Sequence, residues 1–333
     1  MDEKKKVEVW KIAEELGISP TTVSRALSGK GRVSEETKNR ILEYIEEKNI
    51  EPRVRTSKFQ DKKTMNIAVV LPGEEKYAEL PYFTRMLMVL YDFFLVRGYH
   101  VLLVRTSWND IRALKDVVRK HKIDGVILTR ILDNCADINF LREKEVPFVV
   151  VGSIEDDTIY QVDVDQRGGC HDLTDILIKK GIRKIAVFCA NLKQTVSQSR
   201  LNGYLDAMRE NDLPIEQRLI LEDAGEINVL EKGIEDILKE QVECVICSDD
   251  GICITVLDYF RQLEISVPKH IKVASFFNST LLEESNSSIT SINFELNELG
   301  KAAGGMLLKL LNGELCEKKK VLGYKILLKE STQ

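Results

Sequence analysis

The chain has 333 residues, 44% apolar and 30% charged, which excludes wholesale disorder and suits one small core plus one large bilobed one. Met1 to Lys6 carry both signs of charge, and no later stretch reaches about 18 uninterrupted apolar residues, so neither a secretory signal nor a membrane span is expected and the predicted location is the cytoplasm. The net charge of −5 conceals an asymmetry: residues 1–64 hold 15 basic and 12 acidic side chains, the remainder 33 and 41, so only the head suits contact with phosphates.

The first predicted helix carries Ile12, Ala13 and Leu16 on one face and stops at Gly17. Ile18 staples the turn, Ser19 is a good N-cap, and Pro20 stands where a missing N–H costs nothing. Val23, Ala26 and Leu27 form the buried face of a second short helix, leaving Thr21, Thr22, Ser24 and Arg25 on its polar or N-terminal side. Ser34 caps a third helix, with Glu35 and Glu36 in its first turn and Ile41, Leu42 and Ile45 along one side, before Pro52 prevents continuation. The basic stretch 53–63, RVRTSKFQDKK, reads as a hinge without a core of its own.

From Asn66 onward short apolar strands alternate with helix-length segments: IAVVL (67–71), HVLLV (100–104), GVILT (125–129), PFVVV (147–151), KIAVF (184–188), CVIC (244–247), IKVAS (271–275) and YKILL (324–328). Helices are expected around 197–211, 228–239 and 250–263. This β-α repetition predicts an α/β fold, an all-α helix-turn-helix head followed by a bilobed core of two doubly wound parallel sheets with a cleft at their carboxyl edges. The expected division is 1–51 head, 52–63 hinge and 64–333 core, with lobe 1 about 64–160 and 291–320 and lobe 2 about 161–290 and 321–333.

Turn glycine, cap, proline start and buried face agree on two crossed short helices over KIAEELGISPTTVSRALSG. Such a pair presents the start of its second helix to the major groove, where Pro20, Thr21, Thr22 and Arg25 could reach bases or phosphates while Ser19 holds the backbone. An ordinary αα-hairpin with a solvated face is the bland alternative. The segment GISPTTVSRALSGKGRVSEETKNRILEYIEEKNIEP resembles the DNA-binding head of the lactose and galactose repressor family. The resemblance continues through KIDGVIL, VDVDQRGG, SRLNGY, ICSDDG, SVPKHIKVASF and ITSINFELNELG in family order. It implies a periplasmic-binding-protein-like core and a homodimer on a near-palindromic operator. It also implies a small-molecule effector, a sugar or sugar phosphate, in the cleft.

Ser24, Arg32 and Thr37 join the candidate DNA contacts on the head, and Arg53, Arg55 and Phe59 those on the hinge. Arg53 replaces the family's usual Asn and Phe59 its wedge Leu, so minor-groove insertion by Phe59 stands beside packing of that ring on the core. In the core the resemblance carries effector contacts onto Arg200 and Asp250. An arginine fork and a carboxylate suit vicinal hydroxyls, and Tyr82, Phe83, Trp108 and Asp165 are further candidates. A salt bridge between Arg200 and Asp250, and core packing of Tyr82 and Phe83, are the competing readings.

An enzyme or an exported sugar-binding protein with an accessory helical module is the runner-up, but the chain has no phosphate loop, G-x-G-x-x-G, H-E-x-x-H or G-x-S-x-G. Neither a cofactor nor a metal is expected. Cys244 and Cys247 lie on opposite faces of a strand, seven scattered cysteines fit reduced thiols, and the four histidines stand apart. Gly168-Gly169 and Gly304-Gly305 are read as sites of close helix packing, and a tail lacking heptads predicts dimers rather than tail-linked tetramers.

Overall fold

The computed structural model describes residues 5–28, 33–48, 50–53, 63–74, 80–131, 134–284 and 288–333, which fall into two units, Met1–Lys63 and Thr64–Gln333. Arg32, Arg55, Phe59 and most of the expected hinge lie outside the described residues.

In the first unit, β1 (Lys5–Glu8) leads into α1 (Val9–Leu16), α2 (Pro20–Ser28) and α3 (Glu35–Glu47), and β2 (Ile50–Arg53) pairs parallel with β1. Val9, Ile12, Ala13, Val23, Ala26 and Ile41 form its core. The paired strands were not expected, and they put Arg53 opposite Glu8 rather than in an irregular hinge. Pro52 explains the extension, because it biases its predecessor toward extended backbone and is tolerated on a strand edge.

The second unit begins with β3 (Asn66–Pro72), α4 (Pro81–Leu95), β4 (His100–Thr106), α5 (Arg112–Arg119), β5 (Gly125–Leu128), α6 (Ala136–Glu143), β6 (Phe148–Val151) and β7 (Gln161–Val164). A second series follows: α7 (Gln166–Lys179), β8 (Ile185–Phe188), α8 (Thr195–Glu210), β9 (Ile220–Leu221), α9 (Ile227–Lys239), β10 (Cys244–Cys247), α10 (Asp250–Gln262), β11 (Lys272–Ser275), α11 (Thr280–Glu284) and β12 (Thr290–Asn293). Last come α12 (Leu296–Leu311), β13 (Lys319–Leu322) and β14 (Lys325–Leu327).

The strands form two sheets of the same winding, ordered β4-β3-β5-β6-β7-β13 and β9-β8-β10-β11-β12-β14. All pairings within them are parallel except β12 with β14. Each sheet grows in both directions from its first strand, so a switch point lies between β3 and β5 and another between β8 and β10. The chain crosses between lobes after Val164, after Asn293 and after Leu322. The first and second crossings correct the expected boundaries near Tyr160 and at 290/291: β7 bonds to β6 and β13 in lobe 1, and β12 to β11 and β14 in lobe 2. Hydropathy marks a buried strand without saying which sheet it joins; backbone pairing decides that.

Burial on both faces accounts for the unbroken apolar runs. Along β10, Cys244 and Ile246 enter one cluster while Val245 and Cys247 enter the other, the two-residue alternation expected of the C-x-x-C pair. Cys170, Cys189, Cys244, Cys247 and Cys253 are buried thiols, and burial pushes Cys189 up to about 12, so they act as small apolar side chains. Helix contacts are close where glycine allows it. A Cβ on Gly304 would lie 2.5 Å from the Phe93 ring, and one on Gly300 2.5 Å from Val89, which seats α12 on α4. Gly168 instead serves the start of α7, where its N–H donates to Asp165.

His171 links α7 to α8: Nδ1 is 2.9 Å from Asp172 and Nε2 2.8 Å from Glu210. The Asp172 hydrogen bond, with Glu210 adding to it, raises the imidazole pKa. The resulting stabilisation is complete below the free-imidazole value of about 6.5 and is lost as pH rises through the raised folded value. The urea midpoint is therefore expected to fall between about pH 6 and pH 8. His171→Gln should flatten that fall; an unchanged pH profile in the variant would remove His171 from the account.

Candidate functional site

Two sites follow from this architecture, one on each unit. In the head, Gly17 adopts φ +66, a left-handed conformation that suits glycine, with open space around its Cα. The Ile18 N–H donates to Ala13 O at 3.0 Å and the Gly17 N–H to Glu14 O at 3.2 Å, the paired bonds that close a helix end. Ser19 then opens α2, its Oγ accepting from the Thr22 N–H at 3.1 Å and meeting the Thr22 hydroxyl at 2.8 Å. Val23 and Ala26 point into the core and Arg25 is exposed. Pro20, Thr21 and Ser24 occupy the first turns of α2, the part of the helix expected to face DNA. Ser34 repeats the device at α3, accepting from the Thr37 N–H at 3.3 Å, so the Thr37 hydroxyl, 2.7 Å from Ser34 Oγ, shares in capping.

In the core, Tyr82 and Arg200 meet at Phe277 between the carboxyl edges of the two sheets, and Asp250 opens the helix that follows β10. Arg200, on α8, donates from Nε to Gln166 Oε1 at 2.9 Å and from Nη1 to the Ser248 carbonyl at 2.6 Å. Its guanidinium lies 5.6 Å from the centroid of Phe277. Tyr82, at the start of α4 in the other lobe, meets the same Phe277 edge-on at 6.0 Å. Arg200 therefore makes no ion pair with Asp250; the Ser248 carbonyl, at the end of β10, holds it instead. Asp249 is the N-cap of α10, accepting from the Ile252 N–H at 2.9 Å, and Asp250 opens the helix.

Electrostatics sets this site apart from the surface. Burial raises the pKa of Asp249, with Arg200 acting against it and Asp250 reinforcing it. Burial likewise raises Asp163 at the end of β7, again opposed by Arg200, and it raises the Tyr82 hydroxyl. Asp250 is only 4% exposed, and its Oδ2 has no hydrogen-bond partner among the described residues. A buried carboxylate oxygen in that condition costs about 1–3 kcal/mol, and a hydroxyl or amine donor from a bound molecule would offset it.

Three candidate effector contacts fall elsewhere. Phe83 is 9% exposed and packed in the core with its ring edge on Tyr82, because its position on α4 turns it toward the sheet. The Asp165 side chain accepts from the Gly168 N–H at 2.8 Å and is spent on capping α7. Trp108 follows β4 at the sheet margin and is 64% exposed, lining a groove between α5 and α6. Conversely, sequence reasoning missed Asp163, Gln166, Asp249 and Phe277. The alternation VDVD and the aromatic pair closing IKVASFF, both at strand carboxyl ends, were the available signals.

Comparison with known proteins agrees with both units. Residues 10–53 match the model for bacterial regulatory proteins of the lacI family, and residues 174–332 that for the periplasmic binding protein-like domain. The head is thus similar to that of lacI-family regulators, and the core to periplasmic binding proteins. The chain is similar over nearly its whole length to the HTH-type transcriptional regulator RegA of Clostridium saccharobutylicum, 28% identical over 96% of this chain and 98% of the relative. Catabolite control protein A of Priestia megaterium is 25% identical over 98% and 99%. Among solved structures, the transcriptional regulator CelR in complex with cellobiose superposes with a TM-score of 0.72 at 22% identity, covering 97% of this chain and 99% of that one. CcpA of Lactococcus lactis gives 0.71 at 24%, covering 82% and 100%. These relatives are named as transcription regulators rather than enzymes. Among the described residues no helix is long and apolar enough to cross a membrane, and no cluster of His, Cys, Asp or Glu is arranged to hold a metal.

Proposed function

We propose that this chain is a sequence-specific transcription regulator, a repressor of carbohydrate-utilisation genes whose DNA affinity is set by a small hydroxylated effector in the interlobe cleft. The observation that carries the reading is the buried, unpartnered Oδ2 of Asp250 on the same chain as a Gly17-turned, Ser19-capped helix pair. The cellobiose bound to a relative of the same fold supports a saccharide effector. Residues 1–51 act as head, 52–63 as hinge and 64–333 as core; Pro20, Thr21, Thr22, Ser24 and Arg25 read the major groove, with Ser19, Arg32 and Thr37 supporting the docked head. Arg53, Arg55 and Phe59 contact the minor-groove side of the operator. The protein acts in the cytoplasm and is not an enzyme.

It works as a homodimer on a near-palindromic operator. Support comes from an exposed apolar stripe on α4, formed by Met88, Tyr91 and Leu95, beside Leu103 on the edge strand β4. Effector binding favours one lobe arrangement, and linkage makes effector and operator affinities reciprocally dependent.

Selection of bound sequences from random duplex DNA by the full chain tests this reading, alongside a Thr21→Ala, Arg25→Ala double variant. A palindrome recovered by the parent and lost by the variant is the expected result. No motif from the parent at any salt would reject the head as a sequence reader.

A further inference from the structure

The exposed Trp108 belongs to a second concavity. α5 and α6 follow neighbouring strands on either side of β3, and the gap between them is a groove of about 610 Å³, within the range of small-molecule sites. Ile111, Lys115 and Arg119 recur at four-residue spacing, so one face of α5 lines it. Phe140, 7% exposed, supplies an apolar surface from α6, and Asn139 offers an uncommitted amide on the same wall. The Trp108 carbonyl accepts from Asn134 Nδ2 at 2.6 Å, which pins the backbone while the indole stays 64% exposed.

The charge of this groove is its second feature. Lys144 is held by Glu143 at 2.6 Å, whereas Lys115 and Arg119 have no ion-pair partner among the described residues. The Lys115 ammonium lies 5.8 Å from the centroid of the Phe140 ring, placing a cation over the apolar surface. Glu143, also on the wall, is stabilised by Lys115 and Arg119 without bonding to either, so these two and Lys144 outnumber it, and beside an exposed indole and a phenyl ring they complement a molecule with a flat apolar face and an anionic end.

We infer that the α5–α6 groove binds a small amphipathic anion, its ring face on Trp108 and Phe140 and its phosphate or carboxylate at Lys115 and Arg119.

Phenyl phosphate is the probe. In the full chain carrying Trp10→Phe, Trp108 is the remaining tryptophan and its fluorescence reports binding. The expected result is a saturable change that weakens about tenfold or more in a Lys115→Ala, Arg119→Ala variant of unchanged thermal midpoint. Inorganic phosphate and phenol should each bind at least about tenfold more weakly than the parent compound, and Asp250→Asn should leave the titration unaltered. Absence of a saturable change, equal affinity in the double variant, or phosphate binding as well as phenyl phosphate would each overturn the assignment. An altered affinity in Asp250→Asn with no change in the groove variant would move the anion to the cleft, removing this site while leaving the effector reading intact.

Discussion

Gly203→Ala is expected to destabilise the core by about 2–3 kcal/mol, among the larger effects a single added methyl can have. The Cβ would stand 2.4 Å from the Arg167 carbonyl oxygen, 2.9 Å from Cys170 Cβ and 2.9 Å from the His171 nitrogen. The first and last are backbone atoms of α7, so no rotamer change relieves the overlap; α7 and α8 must move apart. Arg200 rides on α8 three residues earlier, so the displacement also loosens its bonds to Ser248 and Gln166. Gly251→Ala provides the comparison. Its Cβ meets nothing closer than 3.5 Å, and there the loss of glycine's unfolded-state freedom should leave stability unchanged or slightly higher. Equal urea midpoints for the two variants would show that the α7–α8 contact yields cheaply.

Asp250→Asn is expected to weaken effector binding by about 10- to 100-fold while leaving the free protein nearly as stable as before. The two halves of the prediction share one cause. Oδ2 has no partner to lose in the free chain, so removing its charge costs the fold little. A ligand hydroxyl donating to that oxygen, in contrast, loses a charge-assisted hydrogen bond and meets an amide in its place. Calorimetry with the saccharide that shifts operator affinity, read beside a denaturation curve, separates the halves. Weakened binding accompanied by equally large destabilisation would make Asp250 a structural residue rather than a ligand contact.

Much of this was legible in the sequence, for identifiable reasons. Gly17, Ser19 and Pro20 act within four residues of their own position, so turn, cap and helix start could be read from local chemistry, and the structure shows the corresponding bonds. The core strands declare themselves by apolar runs that need burial on both faces. Properties that depend on distant partners were not legible. β1 and β2 pair across the whole head, and neither segment announces the other. Tyr82 and Phe83 are adjacent aromatics at one helix start, yet one faces the cleft and the other the core, a choice made by the placement of α4 on its sheet. Asp165 shows a different limit, since an acidic residue before a glycine pair serves a cap or a ligand equally well until the cap bond is seen. The bond of Arg200 to the Ser248 carbonyl was out of reach too, because a backbone carbonyl carries no sequence signature.

The three crossings between lobes have a consequence for how the protein is made. A chain emerging from the ribosome completes five of the six strands of the first sheet and β8 to β12 of the second before α12 and β13 return to lobe 1, and β14 closes lobe 2 only at Lys325–Leu327. Neither lobe can finish until the last few residues are synthesised. The head, by contrast, has its own core by Arg53. Termination before β13 and β14 therefore leaves a head with its own core attached to two unfinished sheets, a product open to proteolysis. The topology therefore ties completion of both lobes to the same late segment of synthesis.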